Sequence, residues 1–383
     1  MTVATPVPGG ASESHGPESR RYNVRRLQNI CSAAARRTVF SVAMSGTPRV
    51  SVVIPAYGCA GTIARVLEHV FAQTVQPLQV IVVNDRSPDD LDAAVAPYRE
   101  QIDYVRNERN LGLARTCNVG LRRATAPVVM TLHSDCLLDP DYIERMLGHL
   151  ETDPTIAVAT GQYLFDDYRA LGLSDRLFAA LNLLPIETDR SDTGVYPLGF
   201  IEGKADVFRR EVIARHDFFT ENLSLTAEDQ DLSAKIRRDG FRIVQDCRAR
   251  FRVMFTGTSD SIRKVLRKQR TYGRGQAYVV IKYGLGVFAD TTPNRRYRSW
   301  HRFGQLAFVG VFALATALAA ARPHLWFIPV AWMGLRALYY AMVGIRQSPR
   351  DTLLVTALGP VADLCYFAGA LEGAVKTLLF GRT

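Results

Sequence analysis

The sequence has no C-x-x-C pair, no apolar core near its start, and too few acids to balance its bases. Its six cysteines (Cys31, Cys59, Cys117, Cys136, Cys247, Cys365) are scattered over 383 residues. That spacing excludes a clustered zinc site or a small disulfide scaffold and suits ordinary thiols in a reducing compartment. Residues 1–20 contain no apolar run, so no secretory signal peptide is read there and export of the large polar part is not expected. Acids number 37 against 47 Lys and Arg, a formal net charge of +10. Such an excess suits nucleic acid or an anionic membrane. No nucleic-acid-binding motif accompanies it. The arginines instead flank apolar segments, where anionic headgroups attract them by about 1 kcal/mol each. Membrane lipids, and no nucleic acid, are the expected partners of this charge.

What the chain does hold is apolar sequence, with 48% hydrophobic against 22% charged residues, which excludes a wholly disordered chain. Phe303–Ala321 carries no formal charge, and as a helix it would reach roughly 28 Å, close to a bilayer's hydrocarbon core. Two further apolar stretches follow, near 325–345 and 353–371. Only Arg322-Pro323-His324 separates the first two, which predicts a tight hairpin. The third holds Pro360 and Asp363 and is read as a span or an interfacial helix. Arg295, Arg296, Arg298 and Arg302 precede the first stretch, and Arg346 and Arg350 follow the second. Basic flanks on that side place both ends, and the polar part with them, in the cytoplasm.

Four regions result. Residues 1–48 read as a disordered basic tail, with Arg20, Arg21, Arg25, Arg26, Arg36 and Arg37. Met44 is a second candidate start of the natural product, which mapping the translation start would decide. Residues 49–258 alternate strand and helix signals. Residues 259–302 are basic interfacial or juxtamembrane helices, and residues 303–383 are a membrane region of two or three transmembrane helices.

Within 49–258, Val50–Ala56, Leu78–Val83, Ile102–Arg106 and Val128–Leu132 read as buried strands. Helical stripes lie between them, such as Ile63, Val66, Leu67 and Val70. Asp139 and Pro140 predict an N-cap and first helical position for the next helix. This repeated β-α-β spacing predicts a mainly parallel α/β sheet with its ligands at the strands' carboxyl ends. Asp85 and Asp135 stand at two such ends. Each could equally cap the element that follows it. Glu228, Asp229 and Asp231 crowd the start of a later helix, where Thr226 and Asp229 form a capping-box pattern and acids suit the dipole. Capping does not explain why this cluster follows the small-residue segment Gly199-Phe200-Ile201-Glu202-Gly203.

Four motifs then occur in order: Val53-Ile54-Pro55-Ala56-Tyr57, Val83-Asn84-Asp85-Arg86-Ser87, Asn107-x-x-Asn110-x-Gly112-x-Ala114-x-x-x-Asn118-x-Gly120, and Glu228-Asp229-x-Asp231-Leu232. Over roughly residues 49–275 the chain resembles glycosyltransferase family 2. The resemblance implies the GT-A fold, a Rossmann-like α/β domain, and inverting transfer from a nucleotide-diphosphate sugar. It implies that Pro55, Ala56, Tyr57 and Asp85 line the nucleotide pocket and that Arg115 contacts the nucleotide or its phosphates. His133-Ser134-Asp135 stands where the family has Asp-x-Asp. Asp135 then matches the ligand of a divalent metal, Mg²⁺ or Mn²⁺, while His133 replaces the first acid and His133 and Ser134 fall to the donor. Asp229 resembles the general base, with Glu228 beside it.

Two features depart from the pattern. Phe251–Ser259 lacks the histidine that members often carry as a metal ligand, and Lys268-Gln269-Arg270-Thr271-Tyr272 differs from the Q-x-x-R-W element of processive members in spacing and in having no tryptophan. It is read as an interfacial helix closing over the diphosphate, with Gly203, Gln269 and Arg270 as acceptor or diphosphate contacts. A cytoplasmic, membrane-held domain implies a lipid-linked or glycolipid acceptor. The alternative is a catalytically degenerate, membrane-tethered nucleotide-sugar-binding protein. Transport is set aside, because two or three short spans with few buried polar groups supply no pathway.

Overall fold

The computed structural model describes residues 50–165, 171–183, 191–201, 203–223, 227–254, 261–285 and 293–381. The expected tail 1–48, Glu202, the capping Thr226 and residues 255–259 lie outside the described residues. β1 (Val50–Ala56) is buried at every position, as expected of a β-branched run covered on both faces. α1 (Ile63–Phe71) turns Ile63, Val66, Leu67 and Val70 into the core, each worth roughly 1.5–3 kcal/mol of burial. β2 (Gln79–Asn84), α2 (Leu91–Val95), β3 (Asp103–Arg106), α3 (Leu113–Arg123) and β4 (Val128–Leu132) complete the first half. β1 pairs in parallel with β2 and β4, and β2 with β3. α3 packs closely onto β1 at Gly120, where a Cβ would lie 2.3 Å from the Val53 side chain.

The second half is mixed. It contains β5 (Cys136–Leu138), α4 (Tyr142–Thr152), β6 (Ile156–Phe165), α5 (Leu173–Leu181), β7 (Val195–Pro197), β8 (Ala205–Arg209), α6 (Arg210–Ala214), α7 (Ala227–Arg238) and β9 (Arg242–Val253). Strand order is β3-β2-β1-β4-β8-β6-β9-β5, with β7 also on β9. β8 runs antiparallel to β4 and β6, and β5 and β7 antiparallel to β9, while β6 and β9 are parallel. The mainly parallel sheet expected from sequence is thus confined to β3-β2-β1-β4 and the β6–β9 pair. The antiparallel insertion escaped notice because β8 reads as polar: it buries Asp206 and Arg209. Arg209 donates to the Ile156 carbonyl at 2.7 Å and the Asp153 carbonyl at 3.2 Å. α4 also begins later than expected. Its N-cap is Asp141, because Asp139 and Pro140 form the preceding turn, where their carbonyls accept Gln73 Nε2 and Thr74 N at 2.8 Å each.

Four long helices follow: α8 (Ile262–Tyr283), α9 (Pro293–Ala321), α10 (Phe327–Gln347) and α11 (Thr352–Phe380). The basic cluster up to Arg302 is part of α9 and continuous with the first apolar run. A 3₁₀ turn at Pro323–Leu325 makes the expected hairpin. His301–Ala321, Pro323–Arg346 and Pro349–Phe380 are long and apolar enough to cross a membrane.

These helices hold more buried polar contacts than their sequence suggests. Arg336 on α10 donates to Asp363 on α11 at 2.6 Å, and Tyr340 adds a bond to the same carboxylate at 2.5 Å. His301 meets the Tyr339 hydroxyl at 2.7 Å and the Leu181 carbonyl of α5 at 3.0 Å, and Arg176 of α5 donates to Asp351 at 2.7 Å.

Candidate active site

The carboxyl ends of β1, β2 and β4 lie side by side, and the loops that leave them are laced together. Gly58 N donates to Ser87 Oγ at 2.7 Å and Ala60 N to Asp89 Oδ2 at 2.7 Å. Pro55 and Ala56 are buried at the end of β1, and Tyr57 stands out from it, 56% exposed. Asp85 follows β2 and is buried. Its Oδ1 accepts from Asn107 Nδ2 at 2.9 Å and Leu111 N at 2.7 Å, and its Oδ2 from Gly112 N at 2.9 Å. Gly112 has φ +84°, a conformation that favours glycine. Asp85 thus organises the 107–112 loop. Asn118 and Phe219 exchange a reciprocal pair of bonds at 2.8 and 3.0 Å. Arg115 is paired with Glu221 at 3.4 Å and with Asn222, fastening α3 to the segment before α7.

His133-Ser134-Asp135 forms a turn closed by Cys136 N donating to the His133 carbonyl at 3.1 Å. Thr62 Oγ1 donates to the Ser134 carbonyl at 2.7 Å. His133 N donates to the Lys204 carbonyl at 2.8 Å, and Met254 N to the Asp135 carbonyl at 2.7 Å. Burial and the nearby Lys204 ammonium push the His133 imidazole down to about 4, partly opposed by Asp135. At neutral pH it is therefore uncharged, the form that ligates a metal or accepts a hydrogen bond.

Asp229 lies in the first turn of α7. Gly203, with φ +70°, faces it so closely that a Cβ would lie 2.6 Å from Asp229 Oδ2. Ser233 Oγ donates to the Asp229 carbonyl at 2.6 Å and accepts from Ile201 N at 3.1 Å, stitching the 199–203 segment to the helix. Gly203 is followed directly by Lys204, which pairs with His133, so Asp229 and the His133–Asp135 turn border one region. Cys117 on α3 marks the other side. Burial, with the charges of Asp229, Glu228 and Asp85 around it, pushes its thiol far up.

The structure thus gathers Asp85, Glu228, Asp229, His133, Asp135 and Gly203 at one end of the sheet. Gln269 and Arg270 lie on α8. Gln269 is buried, whereas Arg270 is exposed and turned to Glu372 of α11 at 3.2 Å. From that stretch Lys268 comes nearer. Its ammonium lies over the Phe178 ring at 4.7 Å. Burial depresses its pKa, Asp175 opposes this, and Lys204 and Lys264 depress it further. Lys204 carries no motif signal of its own although it adjoins Gly203, and Lys268 belongs to the stretch expected to close over the diphosphate, where only Gln269 and Arg270 are expected as contacts. Among the described residues no three His, Cys, Asp or Glu side chains form a group that could hold a metal by itself.

Residues 51–216 match the family described as glycosyl transferase family 2. The chain carries a glycosyltransferase family 2 domain. It is 28% identical over 154 residues to chondroitin synthase of Escherichia coli, covering 39% of this chain and 22% of that protein. It is 24% identical over 197 residues to poly-beta-1,6-N-acetyl-D-glucosamine synthase of Staphylococcus aureus, covering 51% of this chain and 47% of that protein. The chain therefore spans less than half the length of either relative. A mannosyltransferase from Pyrobaculum calidifontis, solved with GDP-Man and Mn²⁺, superposes with TM-score 0.52 at 16% identity, covering 90% of this chain and 94% of that one. The shared fold is GT-A, as the family 2 resemblance implies.

Proposed function

We propose that this chain is an inverting glycosyltransferase. It moves a hexosyl or pentosyl group from a nucleotide-diphosphate sugar to a hydroxyl or phosphate of a lipid-linked or glycolipid acceptor at the cytoplasmic membrane face. The close approach of Gly203 to the Asp229 carboxylate, with the next residue, Lys204, accepting from His133 N through its carbonyl, is the observation that carries this reading. The GDP-Man and Mn²⁺ bound by the Pyrobaculum calidifontis mannosyltransferase of similar fold and the three apolar helices support the donor class and the membrane site.

In this reading Pro55, Ala56, Tyr57 and the Asp85-ordered loop take the nucleotide, and Arg115, His133 and Ser134 its ribose and phosphates. Asp229, partly exposed at a helix start, takes the proton of the acceptor hydroxyl as that oxygen attacks the anomeric carbon. Glu228 is buried behind it. Lys204 and Lys268 lie where positive charge would steady a departing diphosphate. Asp135 and the neutral His133 fit a divalent cation, and the donor's phosphates would complete the ligand set. That cation would supply further positive charge to the leaving group.

The test is a screen of purified protein against UDP-, GDP- and dTDP-sugars, with and without Mn²⁺, measuring nucleotide release and sugar transfer to extracted lipid. Acceptor-dependent release supports the proposal. Donor binding with no release from any of them would overturn it in favour of a degenerate binding protein.

A further inference from the structure

We propose that Asp231 is a positioning residue for Asp229, and that α8, seated on the apolar helix α11, sets its geometry. This rests on the reading of Asp229 as general base. Asp231 lies two residues after Asp229 on α7 and is completely buried. Five side chains from three places in the chain converge on its carboxylate. Oδ2 meets Thr220 Oγ1 at 2.6 Å and Lys235 Nζ at 2.7 Å. Oδ1 meets Lys282 Nζ at 2.7 Å, Tyr283 Oη at 2.5 Å and Tyr278 Oη at 3.1 Å. The donors also hold one another. Lys235 Nζ donates to Thr220 Oγ1 at 2.5 Å and Lys282 Nζ to Tyr278 Oη at 2.6 Å, while the Arg238 guanidinium lies over the Tyr283 ring at 4.6 Å. Capping does not require this: a helix start is served by acids near water, and Asp231 is sealed from it.

Three of the five donors come from the last two turns of α8, and α8 is fixed in turn by α11. A Cβ on Gly273 would stand 1.9 Å from the Tyr366 carbonyl, one on Gly369 1.9 Å from the Arg270 carbonyl, and one on Gly373 2.3 Å from the Arg274 carbonyl. Glu372 binds Arg270 at 3.2 Å and Arg274 at 3.0 Å. A shift of α8 therefore pulls on Asp231, and α7 must turn with it. On its other side Asp229 is stopped by Gly203, so a small rotation of α7 alters the one distance on which proton transfer depends. Displacements near 1 Å commonly cost about 100-fold in rate.

The experiment compares Tyr283→Phe, Lys282→Met, Lys282→Arg and Gly369→Leu with wild type and Asp229→Asn, in the full chain in lipid nanodiscs. It reads kcat, donor KM and melting temperature. Tyr283→Phe, Lys282→Met and Gly369→Leu are expected to lower kcat by about 10- to 100-fold with donor KM within about twofold, and Lys282→Arg to restore most of it. The pH profile of kcat should shift in Tyr283→Phe, which simple loss of folded protein does not do. Unchanged kcat in Tyr283→Phe and Lys282→Met, or a fall in kcat matched by loss of folded protein, would overturn the proposal while leaving Asp229 as base. Full activity of Asp229→Asn would overturn both.

Discussion

Gly203 and the Asp229 carboxylate are in direct contact, with no space between them for even a methyl group: a Cβ at 203 would lie 2.6 Å from Oδ2 and 2.7 Å from Oδ1. The positive φ of Gly203 adds strain to any replacement. Gly203→Ala is therefore expected to lower turnover by about 100-fold or more through displacement of Asp229. Steady-state assays alongside thermal melts would check this, and a variant of near wild-type rate would show that the contact is immaterial.

Asp229→Asn keeps the shape and most of the packing but removes the proposed proton acceptor. Turnover is expected to fall by about 10²–10⁴-fold, with donor affinity measured by calorimetry unchanged within a small factor. Loss of donor affinity on the same scale as turnover would move Asp229 from chemistry to binding.

Asp85 acts on its surroundings in a different way. Its three bonds to Asn107, Leu111 and Gly112 are charge-assisted, and removing the carboxylate strands two backbone donors. Asp85→Ala is expected to destabilise the domain by about 3 kcal/mol. It should also increase protease cleavage within 107–112 and weaken nucleotide binding, as limited proteolysis and a binding titration would show.

Asp231 sets a pH dependence. Burial raises its pKa, but Lys235, Lys282, Thr220 and Tyr283 outweigh that and hold the carboxyl well below the usual carboxylate range. A depressed folded pKa gives stability that is complete above the unfolded value of about 4 and is lost as pH falls below it. Melting temperature is expected to drop between about pH 4 and pH 2.5, and in Asp231→Asn that slope should flatten as stability at pH 7 falls.

The Arg336–Asp363 pair joins two candidate spans with both side chains mostly or wholly buried. Asp363→Leu alone leaves a buried guanidinium unmatched and is expected to cost about 3–5 kcal/mol. The double variant Arg336→Met, Asp363→Leu should recover much of that loss, read as the melting temperature in detergent.

The sequence was most legible where burial is two-sided. β1, β2 and β4 are mostly apolar runs buried on both faces, and α1 and α4 show single apolar stripes, so each could be placed from its pattern. β8 and β9 could not, because their polar residues are satisfied by partners far along the chain. Arg209 reaches carbonyls of Ile156 and Asp153, and His149 meets the Asp246 carboxylate at 2.8 Å. The site shows the same division. Asp85, Asp135, Asp229 and Asp231 are all marked by local motifs, but what Asp231 holds is decided by Tyr278, Lys282 and Tyr283, and Lys204 draws its place from His133. Pairings of that separation leave no trace in local spacing.

A joint with backbone against backbone has no side chains in it to flex. Gly273, Gly369 and Gly373 bring the backbones of α8 and α11 close to that limit, which under the proposal above makes the site's footing on its apolar helices a fixed turret and not a swinging arm. If the acceptor is lipid-linked, as proposed above, it would have to arrive at one set height above the lipid, and its own tether, not any reach of the protein, would decide which hydroxyl or phosphate is presented.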